Sequence, residues 1–351
     1  MPGDILIYGA TGYSGTLVAR GLRELGILPL IGGRDAARTE ATASQLGLSH
    51  RIARVEDPAT VAAALDGVAV VVNAAGPFSQ TAGPVVQACL ERGVHYLDLC
   101  GEVPVLERLA ALHSLARKRG IMIMPSVGFD VVPTDALAAH VARRLPGCQT
   151  LTLAVSRPAF LSPGSAKTLL ENFDLGVARR CGVVRRLPLA SIERTFDFGA
   201  GPQPCVNVSL ADIVTAFYST GIPNITTFAE TTPLLRLLPF GLPLAPWLRT
   251  SAGEALGRAM ADVVWRSAPT RTSPSAGSMA IVAEVEDSRG RRACARLTTP
   301  EAYDFTGTAA AAIATRVCAG DYEPGFQTPA RLFGPDFVLS LPGVARRDLG
   351  S

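Results

Sequence analysis

The chain has 351 residues, of which 48% are hydrophobic and 18% are charged, and its mean hydropathy is +0.27. This composition supplies enough apolar surface for one large or two smaller cores, which excludes a mostly disordered chain. The 33 basic and 30 acidic residues leave a formal charge of +3 without a long basic run, so no nucleic-acid partner is expected. The seven cysteines include no C-x-x-C pair, which argues against a disulfide framework or a zinc knuckle.

The sequence carries no clear signal for secretion or for a membrane span. The N-terminus lacks a basic stretch followed by a long apolar one, so a cytoplasmic protein is expected. The longest apolar stretch, residues 234–248, is too short to cross a bilayer and is interrupted by Arg236 and by prolines. Three interpretations of this stretch stay open: a lid, a protein interface and a peripheral membrane contact.

Short apolar runs alternate with amphipathic stretches through the first 130 residues. A run such as residues 68–72 is apolar on both faces, as in a parallel sheet with helices on both sides. The alternation is typical of βαβ units and predicts an α/β fold with a Rossmann-type doubly wound parallel sheet. The predicted strands are residues 5–8, 27–31, 68–72, 94–97 and 121–124, and the predicted helices are 14–25, 36–46, 58–65, 84–92 and 104–119.

The pattern changes after Pro133, where strand-like and helix-like segments no longer alternate regularly. Two runs at 279–286 and 292–298 flank a polar turn and predict an antiparallel hairpin. This mixture predicts an inserted α+β domain, which we expect to bind substrate and to form a homodimer. Further strands are predicted at 150–155, 206–210 and 224–228, and helices at 166–179 and 306–319.

A glycine-rich turn follows the first predicted strand and opens the first predicted helix. Its spacing is G-x-x-G-x-x-G, in the sequence Gly9-Ala10-Thr11-Gly12-Tyr13-Ser14-Gly15. In this context the first glycine permits a tight turn, the second lets a pyrophosphate approach the helix N-terminus, and the third permits close helix packing. The turn therefore predicts a dinucleotide-binding loop of Gly9, Thr11, Gly12, Tyr13 and Gly15, the alternative being a purely structural turn.

The second predicted strand leads into Gly32-Gly33-Arg34, where NAD-dependent enzymes usually carry an acidic residue for the ribose hydroxyl groups. A guanidinium at this position instead favours a 2′-phosphate, so Gly33 and Arg34 predict NADP(H) as the cofactor. Asp35 leaves an alternative, in which it binds the ribose and Arg34 is an ordinary surface cation.

Three candidate catalytic residues emerge. Asp98 ends a buried predicted strand and Glu102 follows it, at the sheet edge where ligands bind, so each is a candidate proton donor or ribose ligand. For Glu102 the alternative is a carboxylate that stabilises a helix N-terminus. Lys167 opens a predicted helix, where a cation is electrostatically disfavoured, and its alternative is a solvated lysine. The four histidines are scattered, so no metal site is expected.

Several segments carry a family resemblance: the turn at 9–15, Ala75-Gly76-Pro77-Phe78, residues 96–102, residues 125–135 and parts of 299–334. They resemble the saccharopine dehydrogenase-like oxidoreductases, most closely the branch with trans-acting enoyl reductases of bacterial lipid and polyketide biosynthesis. The resemblance implies an NADP(H)-binding Rossmann domain built from residues 1–130 and 325–351, with residues 131–324 inserted. Together with the converging strand ends, it places further cofactor contacts at Ala75, Gly76, Pro77, Phe78, Cys100, Gly101, Gly128 and Phe129; for Cys100 the alternative is a small buried thiol.

The resemblance also implies an enzyme, an NADPH-dependent oxidoreductase that reduces the activated C=C bond of an enoyl thioester in a biosynthetic pathway. The expected substrate is a small molecule or is bound to a carrier protein. Residues 160–168 depart from the Gly-rich, Trp-containing segment usual in the enoyl reductase branch, so the substrate is not carried over from it. Two alternatives stay open: reduction of a C=N bond of the saccharopine type on an amino-acid-derived substrate, and a non-catalytic NADPH-binding scaffold or redox sensor.

Overall fold

The computed structural model describes residues 4–156, 176–231 and 277–350 of the chain, which fall into two compact units. The first unit is Met1–Ala136 with Ala302–Leu341, and the second is Leu137–Glu301 with Pro342–Ser351. The expected assignment of residues 131–324 to the inserted domain and of residues 325–351 to the Rossmann domain is therefore wrong for two segments. Residues 302–324 belong to the first unit, and residues 342–351 belong to the second.

Seven parallel strands form the sheet of the first unit. With elements numbered in chain order, they are β1 (Asp4–Tyr8), β2 (Leu30–Gly33), β3 (His50–Ile52), β4 (Val68–Asn73), β5 (His95–Asp98), β6 (Met122–Met124) and β15 (Gly325–Phe326). Their order across the sheet is β15-β6-β5-β4-β1-β2-β3. The order reverses at β1, between β2 and β4, which is the switch point where doubly wound sheets bind ligands. The predicted doubly wound sheet is confirmed.

The described helices of the first unit include a long one from the C-terminal part of the chain. They are α1 (Tyr13–Glu24), α2 (Ala36–Leu46), α3 (Pro58–Ala64), α4 (Phe78–Arg92), α5 (Val103–Ala111), α6 (His113–Arg119), the start of α7 (Val132–Arg144), α9 (Ala302–Cys318) and α10 (Pro329–Phe333). α9 packs closely on α1, because a Cβ at Gly21 would lie only 2.7 Å from the carbonyl oxygen of Gly307. This contact explains why α9, expected in the inserted domain, belongs to the first unit.

The second unit is an α+β domain around a mixed sheet, as predicted. Its elements are β7 (Thr150–Val155), β8 (Val177–Arg180), β9 (Val183–Arg186), β10 (Glu193–Asp197), β11 (Pro202–Val208), α8 (Asp212–Thr220), β12 (Asn224–Glu230), β13 (Met279–Glu286), β14 (Arg292–Thr299) and β16 (Ala345–Leu349). The main strand order is β10-β11-β12-β7-β13-β14-β16. β13 and β14 form the predicted antiparallel hairpin.

Two predictions for the second unit are wrong. Residues 177–179 are not helical, because β8 pairs antiparallel with β9 through a tight turn at Cys181 and Gly182, both with positive φ. The rest of that predicted helix, 166–175, lies outside the described residues. Residues 345–349, expected in the Rossmann domain, do not join the first sheet, because β16 pairs with β14 and Asp348 accepts a hydrogen bond of 2.7 Å from His140 of α7.

No helix within the described ranges combines the length and the apolar character needed to span a bilayer. Residues 234–248 lie outside these ranges, so their three interpretations stay predictions.

Candidate functional site

The glycine-rich turn forms a cradle at the end of β1 that only glycines fit. Gly9 has φ +87°, and a Cβ there would lie 2.6 Å from the main-chain nitrogen of Ala75. A Cβ at Gly15 would lie 2.6 Å from the carbonyl oxygen of Gly9. Gly12 is the N-cap of α1, whose first turn has no acidic residue. Because the first N–H groups of a helix have no partner within it, this arrangement fits the pyrophosphate of a dinucleotide.

A second part of the site is an open cavity of about 450 Å³ beyond the ends of β2 and β3. Its polar lining includes Arg34, Asp35, Arg54 and Glu56. Asp35 is the N-cap of α2, and its carboxylate accepts a hydrogen bond of 3.0 Å from the main-chain N–H of Arg38. If Asp35 bound the ribose, as the alternative has it, its carboxylate would have to give up this helix cap. The guanidinium groups of Arg34 and Arg54, in contrast, suit a phosphate.

Arg54 was not among the residues expected from the sequence. It follows β3, a short and mostly polar strand that carries almost no hydrophobic pattern. Gly33 pairs with Ile52 across β2 and β3, which brings the residues after the two strands to the same sheet edge. The basic pair Arg34 and Arg54 would have been found only if β3 had been recognised as a strand.

A buried polar network fixes the loop after β4. The Asn73 side-chain amide donates hydrogen bonds of 3.3 Å to the hydroxyls of Thr81 and Tyr96, and its carbonyl oxygen accepts one of 3.1 Å from the Ala75 N–H. The Thr81 hydroxyl in turn donates to the Ala75 carbonyl at 2.6 Å. The segment Ala75-Gly76-Pro77-Phe78 is thus held rigidly beside Gly9, where the sequence expected cofactor contacts.

Asp98 is completely buried beneath the site instead of opening into it. One carboxylate oxygen accepts hydrogen bonds from the N–H groups of Cys100 (2.9 Å) and Ser126 (2.8 Å), and the other accepts from the Tyr96 hydroxyl at 2.8 Å. Burial raises the pKa of Asp98 to about 6, with these hydrogen bonds acting in the opposite direction. Because both oxygens are engaged and 0% of the residue is exposed, the geometry corrects its expected role from proton donor to positioning residue.

Glu102 is also engaged by the protein, in a role close to its alternative as a carboxylate at a helix N-terminus, although the helix that its side chain caps is not the one that begins beside it. It is 5% exposed, and its carboxylate accepts hydrogen bonds from the N–H groups of Phe78 (2.8 Å) and Ser79 (3.1 Å). These are the first residues of α4, so Glu102 caps a neighbouring helix. The cap also explains why α4 begins at Phe78, whereas the sequence predicted a start at Pro84.

The loops after β5 and β6 are joined by hydrogen bonds around Cys100 and Ser126. Ser126 has a positive φ of 59°, and its hydroxyl donates to the Cys100 carbonyl. The Cys100 side chain is fully buried, and burial followed by the charge of Asp98 raises the pKa of its thiol well above the usual range. Cys100 is therefore a neutral packed thiol, as its alternative predicted, and the expected cofactor contact at Cys100 stays a prediction.

Helix α9 packs against Gly128 and Phe129, the last two residues at which cofactor contacts were expected. A Cβ at Gly128 would lie 2.8 Å from the Thr306 methyl carbon, and the Phe129 N–H donates to the Thr306 hydroxyl at 3.0 Å. Tyr303, at the start of α9, packs edge-to-face on Tyr13 with ring centroids 5.1 Å apart. No local sequence pattern predicts contacts between residues so far apart along the chain.

Lys167, the third catalytic candidate, lies outside the described residues. Within the described ranges, no group of three or more His, Cys, Asp and Glu side chains is placed to hold a metal ion. Thus the described part of the site brings together the glycine cradle, the two arginines and the loops after β4, β5 and β6, while Asp98 and Glu102 hold those loops in place.

Comparison with known proteins agrees with this geometry. Residues 5–124 match the family model described as the saccharopine dehydrogenase NADP binding domain. A trans-acting enoyl reductase of Mycobacterium tuberculosis is 31% identical over 215 residues, covering 57% of this chain and 51% of that protein. A putative trans-acting enoyl reductase of the same organism is 35% identical over 219 residues, covering 57% and 52%. The chain spans about half the length of these curated relatives.

Among solved structures, apo saccharopine dehydrogenase (L-Glu forming) from Saccharomyces cerevisiae has a similar fold, with a TM-score of 0.66. The alignment covers 99% of this chain and 100% of that one at 12% sequence identity. The predicted resemblance to saccharopine dehydrogenase-like proteins and the predicted fold class are confirmed.

Proposed function

We propose that the protein is an NADPH-dependent reductase of an activated C=C bond, because residues 5–124 match the family model described as the saccharopine dehydrogenase NADP binding domain. The observation that carries the proposal is the glycine cradle at Gly9 and Gly15 together with the cavity at Arg34 and Arg54. The cradle fits a pyrophosphate, and two guanidinium groups fit a 2′-phosphate. A bound nicotinamide supplies a hydride at such a site.

The role of the protein is to hold the cofactor and to orient the reacting bond. Main-chain N–H groups of the glycine-rich turn bind the pyrophosphate, and Arg34 with Arg54 selects the phosphorylated ribose. Glu102 and Asn73 fix the loop at Ala75–Phe78, and Asp98 fixes the loops after β5 and β6. Such preorganised loops lower the entropic cost of aligning the reacting atoms.

An enoyl thioester is the proposed substrate class. It is supported by the trans-acting enoyl reductases, which match this chain over about half of their length. A substrate bound to a carrier protein, a homodimer formed through the second unit and a cytoplasmic location stay proposals that accompany it. The saccharopine-type imine and the non-catalytic scaffold are the alternatives.

The proposal is tested by binding and turnover with one purified protein. Calorimetric titration is expected to give a dissociation constant for NADPH at least about tenfold below that for NADH, since the 2′-phosphate adds charge-assisted hydrogen bonds. Oxidation of NADPH is then measured with an enoyl thioester, with the saturated acyl thioester as the matched control, and with an imine of an amino acid and a 2-oxo acid. Turnover of the imine alone would favour the saccharopine-type alternative, and binding without any turnover would favour the scaffold.

A further inference from the structure

Asp130 is the one carboxylate of the loops after β5 and β6 that opens to solvent. It follows β6 in the chain, and it is exposed while Ser126, Val127 and Gly128 just before it are buried. Its Oδ2 atom lies 3.1 Å from the position that a Cβ would take at Gly101. The absence of a side chain at Gly101 therefore lets the Asp130 carboxylate lie against the loop that follows β5.

The support under Asp130 is rigid. The buried carboxylate of Asp98 bridges the N–H groups of Cys100 and Ser126, and the Ser126 hydroxyl donates to the Cys100 carbonyl. On the other side, Phe129 donates its N–H to Thr306 and packs edge-to-face on Phe305, with ring centroids 6.1 Å apart. A side chain that projects from such a support is held in position before a ligand arrives.

The charges around Asp130 are mostly negative. The ionisable groups at the end of β5 and in the loop after it are Asp98, Cys100 and Glu102. The charges of Asp98, Glu102 and Asp130 all act on the buried Cys100 thiol. On the flanking helices, Asp135 of α7 accepts a hydrogen bond from the Ala330 N–H, and α9 carries Tyr303 and Asp304 in its first turn. Desolvation by the surrounding protein raises the pKa of the Asp130 carboxyl group to about 6, although part of the residue is open to solvent.

We propose that Asp130 is the proton donor of the reduction, an inference that rests on the proposed function. The reduction adds a hydride and a proton across the C=C bond. A bound NADPH would supply the hydride and with it both electrons. The proton passes from the Asp130 carboxyl group to the other carbon, so that a C–H bond forms, the O–H bond breaks, and the resulting carboxylate recovers a proton from water.

This assignment explains why three carboxylates lie at one sheet edge with different surroundings. Asp98 and Glu102 are buried and accept hydrogen bonds from main-chain N–H groups, so they position the loops. Asp130 is exposed, and within the described residues it forms no ion pair that would hold it ionised. An acid of this kind retains a protonated fraction near neutral pH, as proton donation requires.

The test compares wild type with Asp130→Asn and Asp130→Glu, and with Asp321→Asn, an exposed carboxylate paired with Arg316, as the matched control. With the enoyl thioester, Asp130→Asn is expected to lower kcat by about 10² to 10⁴-fold, with NADPH affinity within about twofold of wild type. Wild-type kcat/KM is expected to fall as pH rises through about 6, and this limb should vanish in Asp130→Asn. Asp130→Glu should recover part of kcat, and Asp321→Asn should match wild type.

A readout without substrate checks the carboxyl group itself. Because the folded pKa is raised from 3.8 to about 6, wild type loses stability as pH rises through this window, whereas the amide does not. The Tm advantage of Asp130→Asn over wild type should therefore grow between pH 4 and about 7. A pH-independent difference would overturn the proposal.

The other outcomes distinguish the proton-donor role of Asp130 from the proposed function. If wild type is active and Asp130→Asn keeps its kcat, or loses only NADPH affinity, the proton-donor role is wrong and the proposed function stands. If the fall in kcat/KM near pH 6 persists in Asp130→Asn, it is assigned to Asp98, whose pKa is also raised to about 6, and the role of Asp130 is overturned. A wild-type protein that binds NADPH but reduces no enoyl thioester overturns both.

Discussion

The Glu102 carboxylate accepts a hydrogen bond of 2.8 Å from the main-chain N–H of Phe78, a residue 24 positions earlier in the chain. A second bond reaches Ser79, so one side chain caps a helix from a different βα unit. The cap connects the ends of β4 and β5 at the edge where the dinucleotide is proposed to bind. A residue that looks like a catalytic acid in the sequence therefore has a defined structural task.

Loss of this cap should destabilise the first unit. Glu102→Ala leaves the N–H groups of Phe78 and Ser79 without their partner, and we expect a loss of about 1–3 kcal/mol in the free energy of unfolding. Chemical denaturation measures the change, with Glu40→Ala, an exposed residue of α2, as the control. An unchanged free energy of unfolding would show that water replaces the cap without cost.

The two arginines beyond β2 and β3 should determine cofactor choice. Arg34→Ala and Arg54→Ala are each expected to raise the dissociation constant for NADPH by roughly 10 to 100-fold and to leave NADH binding nearly unchanged. Titration calorimetry with both cofactors measures this, and Arg38→Ala, on the exposed side of α2, should behave as wild type. Equal losses for NADPH and NADH would contradict a 2′-phosphate site.

The crossing of α1 and α9 should tolerate no side chain at Gly21. A Cβ there would lie 2.7 Å from the carbonyl oxygen of Gly307, so Gly21→Ala must push the helices apart, at a cost of about 1–3 kcal/mol. In contrast, Gly83 lies inside α4 with open space around it, and Gly83→Ala should add up to about 1 kcal/mol. Thermal unfolding of the two variants should shift in opposite directions, and a parallel shift would argue against a tight crossing.

Acid should weaken the first sheet through His95. Burial lowers the pKa of His95 to about 4, and its Nδ1 accepts a hydrogen bond of 3.1 Å from the Met122 N–H. The folded protein therefore favours the neutral His95 imidazole, whereas the unfolded chain protonates it already near pH 6.5. The free energy of unfolding is highest above pH 6.5 and falls by on the order of 2–3 kcal/mol as pH falls through about 4. His95→Asn keeps an acceptor without this titration, and its Tm should depend less on pH than that of wild type, whereas His50→Asn, at an exposed position, should follow wild type.

The parts of the fold that follow from local pattern could be predicted. The apolar run at 68–72 and the glycine-rich turn at 9–15 each contain their own signal, because burial on both faces and tight turns restrict residue type directly. The position of Arg34 at the end of the second strand could be predicted for the same reason, since it is fixed by the fold class. The hairpin of β13 and β14 was likewise encoded by two adjacent runs and a polar turn.

The parts that depend on pairing across long distances could not be predicted. Nothing in the neighbourhood of Glu102 indicates that its partner is Phe78, and nothing near Asp348 indicates that it binds His140. β3 was not predicted because it is short and mostly polar, and Arg54, which follows it, was therefore not recognised as a candidate site residue. The sequence located Asp98 and Glu102 at the correct sheet edge, but their burial and hydrogen-bond partners, which leave neither of them open, are properties of the folded chain.

The contact between Gly21 and Gly307 also has a consequence for synthesis. A ribosome makes α9 (Ala302–Cys318) long after α1 (Tyr13–Glu24), and at about 5–20 residues per second the interval is on the order of tens of seconds. Throughout that time the surface of α1 that α9 will cover stays exposed on the nascent chain. The first unit is therefore completed only after most of the second unit has been synthesised.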